Sequence, residues 1–170
     1  MFYPCASKAN RAEGLRRLPE HLKESVNLFS MADYPAPHLI EFPKLGVPGI
    51  GYISVGENAK DPLPFAVQRV FWTYHTPESI VRGRHAHHRT EQVLVAVAGR
   101  IIVTTETADG DIKLFRLEDP NVGLYVPPSA WHTMQYSHTA VQLALASQPY
   151  AEDDYIRDYA AFRQEWAPKI

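Results

Sequence analysis

The chain has 170 residues, 45% of them hydrophobic, 21% charged and 11% aromatic, enough apolar material for one domain with an ordinary core and too much for a disordered chain. Lys and Arg total 17 against 19 Asp and Glu, a net charge of -2, so no global basic field exists to hold nucleic acid or an anionic membrane. One cysteine, Cys5, excludes an intrachain disulfide and a multi-thiolate zinc site; with no run near the roughly 20 apolar residues of a membrane span and no apolar signal core, a cytoplasmic protein is expected.

Residues 6–29 are rich in Ala, Leu, Glu, Lys and Arg, and Leu15, Leu18, Leu22, Val26 and Phe29 recur three or four apart. That spacing predicts an amphipathic helix interrupted near Pro19. Residues 1–37 are therefore read as a helical extension ahead of a domain over residues 38–170. Pro35, Pro37, Pro43 and Pro48 punctuate a short extended stretch, Leu39 to Phe42, at the domain entry.

From Gly49 to Ser147 the pattern changes to short β-branched and aromatic runs, at 50–56, 66–74, 91–97, 100–107, 111–117, 122–127 and 139–147. Many short strands predict an all-β sandwich or barrel. Ala108-Asp109-Gly110-Asp111 lies between two of the runs and has the residue types of a hairpin turn. After Pro149, Tyr155, Tyr159, Phe162 and Trp166 recur at helical spacing behind Glu152, Asp153 and Asp154. This predicts a closing helix with an acidic first turn, its aromatic stripe packed on the sheet.

The chemistry is concentrated in Arg82-Gly83-Arg84-His85-Ala86-His87-His88-Arg89-Thr90-Glu91, which holds three of the eight histidines. In an extended chain His85 and His87 share one face and His88 takes the other, with Glu91 in the same parity as the pair. Three imidazoles and a carboxylate suit iron, manganese, nickel or zinc. The same imidazoles also serve as acid and base without a metal, since free imidazole titrates near pH 6.5, about neutrality. Spacing does not choose between the two.

With Gly99 and the later segment Gly123-Leu124-Tyr125-Val126-Pro127-Pro128-Ser129-Ala130-Trp131-His132, the histidine segment resembles the paired motifs of the cupin superfamily. That resemblance implies a jelly-roll barrel in which His85, His87, Glu91 and His132 converge. Metal binding is the superfamily's common use of such a set.

A closer resemblance covers the chain from near Gly51 to Phe162. Arg82-Gly83 with His85-Ala86-His87, Glu91-Gln92-Val93-Leu94-Val95, Val122-Gly123-Leu124-Tyr125-Val126, Trp131-His132, and Leu145-Ala146-Ser147 with Asp154-Tyr155-Ile156-Arg157 look like the WxcM-like nucleotide-sugar 3,4-ketoisomerases. Members of that family move the carbonyl of dTDP-4-keto-6-deoxy-D-glucose to C3 through an enediol without a metal or other cofactor. They feed amino-deoxysugar synthesis for surface glycans such as lipopolysaccharide O-antigen, and they pair as homodimers that exchange N-terminal strands.

Carried over by motif, His85 matches the catalytic base and His87 a second acid or base. Glu91, Tyr125 and His132 are expected at the substrate. A pyrophosphate calls for guanidinium groups, and Arg69, inside a predicted strand, and Arg82, just before the histidines, are the candidates. Phe71, Trp72, Tyr74 and Tyr125 are candidates to cover the thymine or the sugar. Ile50 stands where relatives often carry arginine, while His132 resembles the member type whose product has the galacto configuration at C4. Two rivals stay open at this level: a metal-dependent cupin oxygenase or isomerase, and a non-catalytic nucleotide-sugar binding protein.

Overall fold

A computed structural model describes residues 34–58 and 60–166; the expected helix within residues 6–29, and so most of the expected extension, lies outside the described residues. One antiparallel sheet runs in the order β1 (His38–Glu41), β9 (Val122–Val126), β6 (Gln92–Ala98), β11 (Val141–Ala146) and β4 (Arg69–Tyr74). The other runs β12 (Tyr155–Ile156), β5 (Arg82–His87), β10 (Ala130–Tyr136), β7 (Ile101–Thr107) and β8 (Ile112–Leu117). A separate hairpin joins β2 (Lys44–Val47) and β3 (Gly51–Ser54), and the helix α1 (Tyr159–Trp166) follows β12. Sequence neighbours are mostly not sheet neighbours, which is the jelly-roll arrangement.

Period-two burial explains the two cores. On β6, Leu94 and Ala96 face inward with Leu124 and Val126 of β9, Ile101 and Val103 of β7, and Met134 of β10, and they fill the space between the sheets. Val93 and Val95 face the other way and meet Tyr125, Phe42, Leu63 and Phe65, so the first sheet also has a covered outer face. Gly123 lies where the chain crosses that face: a Cβ there would sit 2.8 Å from Val93 Cγ1 and 3.0 Å from Phe42 Cε2.

The expected hairpin is present. β7 pairs with β8, the Gly110 N–H donates to the Thr107 carbonyl at 2.9 Å, and the Asp109 carboxylate takes the Thr107 hydroxyl. Among the described strands β2, β5 and β10 lie outside the predicted runs, and β12 falls inside the expected helix. β10 alternates Ala130, His132, Met134 and Tyr136 inward, but its polar outward residues dilute the apolar signal. β2 is exposed along its whole length and has little apolar contrast to read.

The closing helix starts later than its acidic residues indicate. Glu152–Asp154 form a 3-10 turn, Tyr155 and Ile156 pair with His87 and Ala86 of β5, and α1 begins after Asp158. The Asp158 carboxylate accepts the Ala161 N–H at 2.7 Å, so Asp158 is the cap and the earlier acids serve elsewhere. Phe162 and Trp166 are buried, and Phe162 packs against Trp131. Tyr155 leaves the stripe altogether and turns toward the histidines.

Candidate active site

β5 and β10 carry the histidines side by side. His85 pairs across the ladder with His132, but Gly83 pairs with the next residue, Thr133, and Arg82 with Met134, so Arg84 is an extra residue in β5. Gly83 (φ 84) and Arg84 (φ 59) absorb this bulge in the left-handed region. A Cβ on Gly83 would approach the His132 carbonyl oxygen to 2.7 Å, so glycine is required there on both counts. The bulge resets the alternation: without it Arg82 and His85, three apart, would face opposite sides, and with it both line one cavity.

That cavity is about 180 Å³ and lies between the inner face of β4, with Phe71 and Thr73, and that of β5 and β10, with Arg82, His85 and His132. Gln92, Leu94 and Gln142 line its first-sheet side, and Tyr136 and Tyr155 complete it. Ligand pockets usually measure about 300–1,000 Å³, so this one holds a sugar-sized group and leaves anything larger at its mouth.

The imidazoles form one cluster. Ring centroids of His85 lie 4.5 Å from His132 and 5.1 Å from His87, and those of His87 and His132 lie 6.2 Å apart. Tyr155 packs on His87 at 4.5 Å and on His85 at 5.1 Å. His85 is held down to about 4 by burial first and by the neighbouring His87 second, with a backbone contact to Gly83 acting the other way. Burial, then His85 and His87, place His132 well below its ordinary value too. Both rings are therefore neutral at pH 7, whereas the sequence reading had His85 near its natural pKa. The difference is desolvation inside a barrel.

Hydrogen bonds fix the tautomers. The His132 Nδ1–H donates to the Ala130 carbonyl at 3.2 Å. The His87 Nδ1 lies 3.2 Å from Asp154 Oδ2, and Asp154 also takes the Thr90 hydroxyl and, at 3.3 Å, the Arg89 Nε–H. Burial works to raise the Asp154 carboxyl, but the bonds from His87, Thr90 and Arg89 outweigh it and hold it well below the usual carboxylate range. A carboxylate only accepts, so His87 carries its proton on Nδ1 and leaves Nε2 free. Among the described residues Nε2 of His87 and Nδ1 of His85 are both buried without a hydrogen-bond partner.

Not every expected site residue joins this cluster. Glu91 and Tyr125 meet each other, the phenol donating to Glu91 Oε2 at 2.7 Å, and Tyr125 belongs to the outer core of the first sheet. The chain leaves the second sheet after β5 and enters the first at β6, so parity with His85 and His87 does not carry across to Glu91. Burial first, then the Glu91 hydrogen bond, pushes the Tyr125 phenol far up. The four-donor set expected of a metal cupin therefore does not converge, and among the described residues no group of His, Cys, Asp or Glu is placed to hold a metal ion.

Of the arginines, Arg82 lines the cavity and has no ion-pair partner among the described residues, while the Arg69 guanidinium lies over the rings of Phe71 and Tyr150, at 5.2 and 5.6 Å, with Nε buried and unbonded among those residues. Phe71 faces the cavity. Trp72 and Tyr74 face outward and are exposed. Asp154 and Tyr155 were not among the expected site residues, although both belong to the Asp154-Tyr155-Ile156-Arg157 stretch that carries part of the family resemblance.

Residues 36–167 match the family described as FdtA, WxcM-like, C-terminal. The chain belongs to that family. Over 114 residues it is 40% identical to the TDP-4-oxo-6-deoxy-alpha-D-glucose-3,4-oxoisomerase of Aneurinibacillus thermoaerophilus, taking in 66% of this chain and 79% of that one. The structure of QdtA, a sugar 3,4-ketoisomerase from Thermoanaerobacterium thermosaccharolyticum in complex with TDP, matches with a TM-score of 0.72 and 34% identity over 76% of this chain and 93% of that one. A histidine-to-asparagine variant of QdtA in complex with TDP-4-keto-6-deoxyglucose matches with a TM-score of 0.73 and 32% identity, over 78% and 94%. The WxcM-like fold is thus the cupin barrel that the paired histidine motifs implied. Among the described residues no helix is long and apolar enough to cross a membrane.

Proposed function

We propose that the protein is a 3,4-ketoisomerase of TDP-4-keto-6-deoxyglucose that works by imidazole acid-base chemistry. The observation that carries this reading is the cluster of three buried or half-buried imidazoles, His85 and His132 held neutral by burial and His87 bonded to Asp154, around a sugar-sized cavity on the WxcM-like scaffold. His85 takes the C3 proton. The C3–H electron pair becomes the C3–C4 double bond, the C4 carbonyl pair moves to oxygen, and that oxygen takes a proton to give the enediol, the O3 hydroxyl beside it supplying the proton as it goes on to the C3 carbonyl. C4 then takes the proton that left C3, passed from the protonated His85 to Nε2 of the neighbouring His87, which Asp154 steadies through Nδ1, so both imidazoles end the turnover as they began it. Burial of the cluster keeps water from competing for these protons. Turnover of TDP-4-keto-6-deoxyglucose by protein treated with a chelator tests the reading: the 3-keto product is expected at the untreated rate. Activity that vanishes with a stoichiometric metal and returns with it would favour a metal-dependent cupin instead.

Arg69 and Arg82 are assigned to the diphosphate. Neither has a carboxylate partner among the described residues, and Arg82 reaches the cavity from its exposed side. Replacing either by alanine is expected to weaken TDP binding by about 1.5–3 kcal/mol, the range for hydrogen bonds to charged groups. Unchanged affinity in both variants, read by calorimetry, would place the nucleotide elsewhere. His132 is assigned to the sugar, within the same cavity.

The protein is further proposed to be a homodimer that exchanges its N-terminal strands. The outer face of the first sheet exposes Val70, Trp72 and Tyr74 beside a groove of about 600 Å³ lined by Val95, Val97, Leu143 and Leu145. The β2–β3 hairpin exposes Leu45, Val47, Ile50, Tyr52 and Ile53. A monomer leaves that much apolar surface in water, which marks an interaction site. Light scattering is expected to give twice the chain mass, and Trp72→Glu to give the single-chain mass; a monomeric wild type would reject the pairing. A cytoplasmic location is consistent with the single cysteine.

A further inference from the structure

Gln92 opens β6 and faces the inside of the barrel, between Val126 of β9 and Ala146 of β11 in the ladder. It is 3% exposed. Leu94, two residues on, shares its face and belongs to the inner apolar core, as does Val126. Buried polar groups are almost always hydrogen-bonded, because an amide stripped of water without a partner destabilises the fold. Among the described residues the Gln92 amide makes no hydrogen bond to the protein, and it is not sealed off, its polar atoms keeping surface toward the cavity. Its remaining surface opens into the same cavity as His85 and His132.

The comparison with Gln142 sharpens the point. That residue is equally buried, at 2%, and lines the same cavity, but its Oε1 takes the Tyr136 hydroxyl. Gln142 has a protein partner for its acceptor, and Gln92 has none for either donor or acceptor. The register separates the two glutamines along β11: Gln92 stands opposite Ala146, four residues from Gln142 itself. At about 3.3 Å per residue the gap is too long for the two amides to satisfy each other.

We infer that Gln92 is a sugar-recognition residue: its amide hydrogen-bonds an oxygen of the hexose held beside His85 and His132. An amide presents a donor and an acceptor together. It can therefore serve the carbonyl and hydroxyl oxygens of a keto sugar on either side of the isomerisation. The inference rests on the ketoisomerase reading and goes beyond it by naming the group that reads the sugar apart from the nucleotide.

The test uses Gln92→Leu, which keeps the volume and removes both hydrogen-bonding groups, with Gln92→Met as a second variant should leucine disturb folding. Affinity for TDP is measured by calorimetry, and kcat/KM with TDP-4-keto-6-deoxyglucose. TDP lacks the hexose, so its affinity is expected to stay at the wild-type value. The sugar nucleotide is expected to lose about 10- to 100-fold in kcat/KM, because a site built to hydrogen-bond a group discriminates strongly when the bond is lost. Wild-type kcat/KM in a folded variant would overturn the inference, as would an equal loss of TDP affinity, which marks a structural role. A wild-type protein that binds TDP and does not turn over the keto sugar would overturn the ketoisomerase reading, and this inference with it.

Discussion

Replacing His85 by asparagine is expected to leave TDP binding near normal and to lower turnover by about two to four orders of magnitude, the usual contribution of general acid-base catalysis. The residue lines the cavity, and its ring is already neutral in the free protein because burial and the neighbouring His87 hold its pKa down to about 4. A base must be unprotonated to act, so activity is lost as pH falls through that value and not through the 6.5 or so of a free imidazole. The acid limb of kcat/KM, which reports the free enzyme, is therefore expected near pH 4. The same replacement is expected to stop exchange of the substrate's C3 hydrogen with deuterated water, which requires only the first proton abstraction. His87→Asn is expected to retain part of that exchange, since its role comes at C4. Exchange at the wild-type rate in His85→Asn, followed at C3 by NMR, would remove His85 from the base position.

The histidines were legible because period two is a local rule. His85 and His87 belong to one strand, and alternation puts them on one face whatever the rest of the fold does. Extending the same rule to Glu91 failed to place it, because the chain changes sheets between His87 and Gln92 and parity has no meaning across that crossing. Arg82 shows the converse. Alternation would have turned it away from His85, and only the bulge at Gly83 and Arg84 brings it inside. The Arg-Gly pair hints at a bulge, yet its position follows from how β5 pairs with β10, a strand that period-two reading did not detect.

Long-range hydrogen bonding was invisible for a different reason. Glu152, Asp153 and Asp154 look like the charged first turn of a helix, and the helical aromatic spacing behind them reinforces that reading. In the fold Asp154 is instead committed to His87, which is 67 residues away in sequence. Once that carboxylate is fixed, Tyr155 and Ile156 pair with β5 and the helix must wait for the next cap, Asp158. A polar contact between distant segments thus decides a local boundary, and it lays Tyr155 against the histidines of the cavity.

Asp154 also carries the largest expected effect on stability. It is 2% exposed and accepts from the His87 ring and the Thr90 hydroxyl; its bond from Arg89 adds little, because that side chain is 63% exposed. Asp154→Ala removes one acceptor and strands two buried donors, for an expected loss of about 3 kcal/mol. The carboxyl is held well below its ordinary range in the fold, so its contribution is complete above the unfolded value of about 3.9 and is lost as pH falls through the folded value. At neutral pH the wild type therefore has the whole benefit, and its stability margin over Asp154→Ala is expected to hold from about pH 7 to pH 5 and to shrink only in stronger acid. Urea unfolding of both proteins across that range gives the margin directly. Asp154→Asn keeps the shape and one carbonyl acceptor for His87, and is expected to recover part of the stability. Without the negative charge it no longer steadies the proton relayed through the His87 ring to C4, so kcat is expected to stay low while TDP affinity stays near the wild-type value. Full recovery of kcat in Asp154→Asn would reduce Asp154 to a structural role.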